Sequence, residues 1–250
     1  RSLIFDDTLL FDYDKFSGWD RIETGTRANV GFQYTFQSKS GGYARFVAGQ
    51  SFHLAGENPY TTPGSILVKG VAQPVFTANS GLGTDRSDYV LGAYLAPVDI
   101  FRFVGQVRLD ETDLSLNRAD LYAVLRLGPV TAVANYSLAA GDPAVGLFGT
   151  QQDFYGIVTL DITKNWSISA YARYDIDANF LLQDAIRVTY RDECFVLTAS
   201  YTETFISNPA LDQRPDRTLM LTFELKHIGQ FKYKSDTLDH VFGENQTPKF

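Results

Sequence analysis

The chain has 250 residues and a formal net charge of -7, with 44% hydrophobic and 14% aromatic residues. No apolar run approaches the roughly 18 residues of a membrane-spanning helix, and the acidic balance argues against nucleic acid as a partner. One cysteine, Cys194, excludes an internal disulfide and a Cys-rich metal site.

Arg1–Phe5 carries no initiator Met, basic n-region or apolar h-region. It reads as the end of a strand already under way, so the chain is expected to be a fragment. The segment from Asp6 to Gly25 reads as a long loop holding Asp6, Asp7, Asp12 and Asp14. Such oxygen ligands suit a divalent cation, and a solvated acidic loop is the alternative. From Thr26 onward, apolar and polar residues alternate with period two, so each strand has one apolar face. About eleven strands follow from this pattern: 26–38, 42–53, 86–96, 100–110, 114–127, 130–140, 151–162, 165–176, 181–191, 194–206 and 217–228.

The connections fall into two alternating classes. Lys39–Gly41, Pro97–Asp99, Gly128–Pro129, Thr163–Lys164 and Asp192–Glu193 are short. Asp6–Gly25, Ala55–Asp85, Gly141–Thr150 and Ser207–Asp216 are long, and Glu111–Asp113 and Asp177–Asn179 join them as short members. All long connections lie on one side of the alternation. That is the plan of an antiparallel up-and-down transmembrane β-barrel, with short periplasmic turns and longer extracellular loops. A Greek-key sandwich has no reason to segregate them. The loop Ala55–Asp85 is rich in Pro and Gly and is expected outside, folding over or into the lumen. Residues 1–228 then form the barrel portion, and 229–250 a polar tail without strand period.

The faces agree with this plan. Phe154, Val158, Leu160 and Ile162 share one face, as do Trp166, Ile168, Ala170, Ala172 and Tyr174, and Leu219, Leu221, Phe223 and Leu225. None of these faces carries Lys or Arg, which at the bilayer midplane costs about 2–4 kcal/mol. Trp166 and Tyr174 fall where interfacial aromatic belts belong. Asp184 shares parity with Leu182 and Ile186, which points to a bulge or a lumen-facing shift. A soluble antiparallel sheet also alternates, so a carbohydrate-binding sandwich and an independent porin-like barrel or small outer-membrane enzyme stand as alternatives.

Catalytic chemistry finds little support. His53, His227 and His240 are scattered, and no Gly-x-Ser-x-Gly elbow occurs. Gly81-Leu82-Gly83 lacks the following helix of a phosphate loop. No catalytic residue, metal site or cofactor is expected. Strand arginines are the candidates for lumenal function: Arg27, Arg102, Arg108, Arg173 and Arg187 foremost, with Arg45, Arg118 and Arg126. They suit contact with an anionic substrate, or equally ordinary lumen filling opposite Asp110, Asp120 and Asp161.

Phe16-Ser17-Gly18-Trp19-Asp20-Arg21-Ile22-Glu23-Thr24-Gly25-Thr26-Arg27, leading into Gly31-Phe32-Gln33-Tyr34, resembles the loop-and-strand signature of the LPS-assembly protein LptD family. Gly49-Gln50-Ser51-Phe52 resembles that family's following strand. Tyr190-Arg191-Asp192-Glu193-Cys194-Phe195 resembles its cysteine segment, and Phe223-Glu224-Leu225-Lys226 its closing strand. The similarity runs over nearly the whole chain in order. It implies the C-terminal part of a large outer-membrane barrel, preceded by a periplasmic jelly-roll domain. It further implies a lumenal plug lipoprotein, LptE, periplasmic bridge proteins that deliver lipopolysaccharide (LPS), and release through a lateral gate.

By the resemblance, 217–228 is the closing strand and a gatepost, with Thr218, Leu219, Leu221, Phe223 and Leu225. Cys194 matches the barrel cysteine that bonds to an N-terminal cysteine. The chain departs from members with two adjacent cysteines, since Glu193 precedes Cys194. If Asp6–Gly25 is extracellular, strand counting puts Asp192–Cys194 and the tail on the periplasmic side, where such a disulfide must lie.

Overall fold

Alternation of β-branched and aromatic residues with Ser, Thr and charged residues favours extended chain, each side presenting one residue class. The computed structural model describes residues 4–16, 23–39, 41–61, 65–68, 71–74, 79–141, 149–206, 215–226 and 229–232. The strands are β1 (Thr26–Gln37), β2 (Tyr43–Ala55), β3 (Ser65–Val68), β4 (Val71–Pro74), β5 (Tyr89–Val98), β6 (Phe101–Leu109) and β7 (Leu116–Leu127). They continue with β8 (Val130–Ala139), β9 (Gln151–Asp161), β10 (Trp166–Asp175), β11 (Phe180–Arg191), β12 (Phe195–Thr204), β13 (Asp216–Leu225) and β14 (Gly229–Lys232).

Eleven of these are the long strands expected from the sequence. Two departures stand out. The loop Ala55–Asp85 contains the antiparallel hairpin β3–β4, registered from Ser65↔Pro74 to Val68↔Val71. The tail, expected without strand structure, begins with β14, which pairs with β13 from Leu225↔Gly229 to Thr222↔Lys232. Four-residue strands are too short to display a period. The main sheet runs β1-β2-β5-β6-β7-β8-β9-β10-β11-β12-β13-β14, an up-and-down meander apart from the excursion through β3–β4.

The chain divides into two compact units, Arg1–Val124 with Asn135–Asp153, and Leu125–Ala134 with Phe154–Phe250. In the first unit, β1 pairs with β2, β2 with β5, and β5 with β6. Cross-strand partners share a face, so the register sets residues side by side in rows. Gly31, Gly49, Val90 and Arg108 form one row of the polar face; Gln33, Val47, Gly92 and Gln106 form the next; Thr35, Arg45, Tyr94 and Val104 the next. On the opposite face Val30, Phe32, Tyr34, Phe36, Phe46 and Leu91 are exposed.

In the second unit the apolar faces are again outward. Leu219 is 75% exposed while its neighbour Thr218 is 7% exposed. Val158, Leu160, Trp166, Ile186 and Leu221 are exposed, whereas Ser200 and Thr202 are buried. A soluble sheet buries its apolar face; this one exposes it, and its buried residues lie on the polar one. The connection Gly128–Pro129 is a two-residue hairpin with Gly128 at φ 55°. Glycine accepts that left-handed conformation and proline fixes the next φ near -65°, the arrangement of a type II′ turn. The irregularity expected near Asp184 is a bulge. Arg173 pairs with Gln183 and Tyr174 with Leu181, leaving Leu182 as the extra residue. Asp184 stays on the outward parity, opposite Ala172 and Glu203.

Candidate functional site

The candidate site is the polar face of the first unit and what lies on it. Residues 4–16 form an entry segment that packs against this face. Phe5 and Leu10 are buried together with Val47, Tyr60, Leu82 and Val90. Glycines in mid-strand make room, because only a bare Cα admits so close an approach. A Cβ on Gly31 would lie 2.8 Å from Leu10 Cδ2, and one on Gly92 would lie 2.2 Å from Asp7 Oδ2.

Polar latches complete the contact. The Tyr94 hydroxyl donates to Asp7 Oδ2 at 2.7 Å, and Gln106 Nε2 donates to Asp7 Oδ1 at 2.7 Å. Buried Lys15 donates to the Asp12 carbonyl at 3.2 Å and to Asn29 Oδ1 at 3.3 Å. Burial holds the Lys15 ammonium below its usual pKa, against the opposing pull of Glu23. The acidic loop is therefore more than a solvated surface: Asp7 is buried, while Asp6 caps the turn by accepting from the Thr8 amide at 2.9 Å. Among the described residues, no three His, Cys, Asp or Glu side chains gather as a metal site.

Two of the five foremost arginines tie loops to this face. Arg27 Nε donates to Glu23 Oε1 at 2.8 Å, with the side chains 7% and 9% exposed. Arg27 also donates to Asn58 Oδ1 at 3.1 Å, and its guanidinium lies 5.2 Å from the Tyr60 ring centroid. Burial, with Glu23 nearby, pushes the Tyr60 hydroxyl pKa up. Arg108 donates to the carbonyls of Ser80 at 2.9 Å and Asn79 at 2.8 Å, and faces Asp88 Oδ2 at 3.1 Å. The acids opposite Arg27 and Arg108 thus come from loops. Of the expected acids, Asp120 pairs with Arg118 at 2.5 Å. Arg102 is exposed, and Arg173 and Arg187 are half-buried.

Of the signature loop, Phe16 stacks on Tyr60 with ring centroids 4.8 Å apart. Ser17, Gly18, Trp19, Asp20 and Arg21 lie outside the described residues. In the second unit, Cys194 is exposed in the turn between β11 and β12. Asp192 accepts from the Cys194 and Phe195 amides, each at 2.8 Å. The Lys226 amide donates to the Cys194 carbonyl at 3.0 Å, and Lys226 Nζ donates to the Asp192 carbonyl. On β13, Leu219, Leu221 and Phe223 are exposed, Leu225 is half-buried, and buried Thr218 donates to Asp216 Oδ2 at 3.0 Å.

At the short-turn end of this unit, aromatic rings run across four strands. Centroid distances are 5.0 Å for Trp166–Tyr190, 5.5 Å for Tyr190–Phe195 and 5.4 Å for Phe195–Phe223. Trp166 was legible as a belt residue; the row was not, because it depends on register. Asp7 as an anchor, Tyr60 and Asn58 have no periodic pattern in the sequence to mark them. Mid-strand glycines were the available signal.

An up-and-down antiparallel meander with its apolar side chains outward and its polar face packed is a portion of a transmembrane β-barrel. The family described as LPS transport system D, LptD, matches residues 1–144, and the chain belongs to that family. The chain is also similar to the LPS-assembly protein LptD of Psychrobacter cryohalolentis, with 24% identity over 229 residues. That match covers 88% of this chain and 21% of the relative, so the chain spans about a fifth of the relative's length.

Proposed function

We propose that this chain is the C-terminal part of an outer-membrane barrel that inserts LPS into the outer leaflet through its lumen and a lateral gate. The outward apolar face, set against a packed polar face, carries the reading. Family membership supplies the substrate class. The barrel portion is residues 1–228 extended by β14, and the tail beyond lies in the periplasm. The chain acts as a conduit rather than an enzyme. A plug lipoprotein like LptE fills the lumen, and periplasmic bridge proteins deliver LPS through a domain outside this sequence. Cys194, exposed at a short turn, is the attachment point for a disulfide to that domain.

In lipid, an unpaired backbone group costs several kcal/mol, so a barrel stays closed except where its seam is weak. β14 pairs with Thr222–Leu225 of β13. Among the described residues, the β13 edge from Asp216 to Leu221 has no partner on that side. A seam beside β13 suits a gate toward the outer leaflet. There, LPS acyl chains pass into lipid while the sugar head stays in the polar lumen. The test is a cysteine pair joining Leu219 to the neighbouring strand of the full-length barrel. Oxidation should stop LPS reaching the cell surface, and reduction should restore it. Normal surface LPS with the seam locked would overturn the gate.

A further inference from the structure

Arg45, half-buried on the polar face, differs from Arg27 and Arg108. Arg27 faces Glu23 and Arg108 faces Asp88, each at ion-pair distance. Arg45 has no carboxylate partner among the described residues, and its Nε is shielded from solvent with no hydrogen-bond acceptor. Its neighbour is an aromatic ring. The guanidinium lies 5.3 Å from the centroid of Tyr94, its direct cross-strand partner. Tyr94 is itself fixed, because its hydroxyl donates to the buried Asp7.

The position is also defined by the entry segment. Leu10 lies over Gly31 and Gly49, and Asp7 lies over Gly92. The row Thr35, Arg45, Tyr94 and Val104 comes next toward the short turns. Arg45 therefore stands at the margin of the covered area, held by a ring that is held by the segment. A planar guanidinium with unanswered N–H donors matches a phosphate or carboxylate group. An aromatic face holds the cation without neutralising it.

We propose that Arg45 is an anion-receiving position on the polar face, which takes a phosphate group of the LPS head as it passes. This rests on the proposed LPS conduit and names a residue within it. Tyr94 and Asp7 act as positioning residues, and the entry segment limits how far the anion advances along the face.

The experiment uses the full-length protein in its native complex, with a photo-crosslinking amino acid at Thr35, the cross-strand neighbour of Arg45. A second crosslinker position, at Gln37 on the same face of β1, serves as control. The wild-type protein should yield LPS adducts at both positions. Arg45→Gln should lower the Thr35 adduct about tenfold, as loss of one charge-assisted contact does, and Arg45→Lys should retain part of it. LPS stripped of its phosphates should give the lower yield with the wild-type protein, an arm that needs no substitution at Arg45. Competition by inorganic phosphate at millimolar concentration, with stripped LPS crosslinking as well as intact LPS, would show that free phosphate is the ligand and overturn the proposal. An undiminished Thr35 adduct with Arg45→Gln and with stripped LPS would overturn it while leaving the conduit standing. No LPS adduct at either position would overturn the conduit itself.

Discussion

Leu10 Cδ2 occupies the place where a side chain on Gly49 would begin: a Cβ there would lie 2.5 Å away. The same Cβ would sit 2.6 Å from the Val30 carbonyl oxygen and 2.8 Å from Gly31 Cα. The backbone neighbours cannot yield, so the entry segment must. Gly49→Ala is expected to destabilise by about 1–3 kcal/mol, the usual range for overpacking. Limited proteolysis should show new cleavage within Leu9–Tyr13. An unchanged melting temperature together with unchanged protection there would contradict the packing described.

The buried pair Glu23–Arg27 gives a second prediction. Removing one member leaves the other charge buried alone, at a cost of about 3–5 kcal/mol. Glu23→Gln and Arg27→Met should each approach that range. The double variant should lose less than the sum, because no orphan charge remains. A double-mutant cycle on heat-modifiable folding measures the coupling. Strict additivity would mean that the two side chains do not meet in the membrane-inserted protein.

How much of this was visible beforehand depends on the range of the contact. The long strands follow from a local period, and Arg27 and Arg108 could be placed on the polar face by parity alone. Their partners could not. Glu23 and Asp88 come from loops, and a loop's path is set by tertiary packing rather than by alternation. Tyr60 and Leu82 are buried without any periodic neighbour to mark them. The Asp7–Tyr94 contact spans 87 positions, so no local pattern reports it. Cys194 could be assigned to a turn, but the Lys226 contacts that brace the turn depend on the β12–β13 register.

Asp192 predicts a pH dependence in that turn. Backbone hydrogen bonds, led by the one from Phe195, hold its carboxyl below its ordinary 3.8. A depressed folded-state pKa contributes stability that is fully present above the unfolded value and lost as pH falls through the folded one. The turn should therefore be unchanged from neutral pH down to 3.8 and loosen below it. Amide exchange at Cys194 and Phe195 reports this directly. Asp192→Asn should remove the acid transition while keeping one acceptor for the turn. Loosening that begins well above 3.8, or that persists in Asp192→Asn, would assign the effect to another group.

Leu221 and Thr222 are adjacent on β13 and face opposite ways, so they test the assignment of faces in one strand. Leu221 is exposed and lies across from Ala199; Thr222 is half-buried on the polar face and lies across from Thr198. If the outward face meets lipid, Leu221→Arg places a charge in hydrocarbon at a cost of about 2–4 kcal/mol near the midplane. Thr222→Arg places the same side chain on the polar face, where its head reaches water and other polar groups. Folding in lipid vesicles should be impaired by Leu221→Arg and close to wild type for Thr222→Arg. A sheet in water predicts the opposite order, because there the exposed position accepts the charge and the packed one resists it. Urea titration of both full-length variants in the same vesicles measures the difference, and its sign alone decides which face meets the membrane.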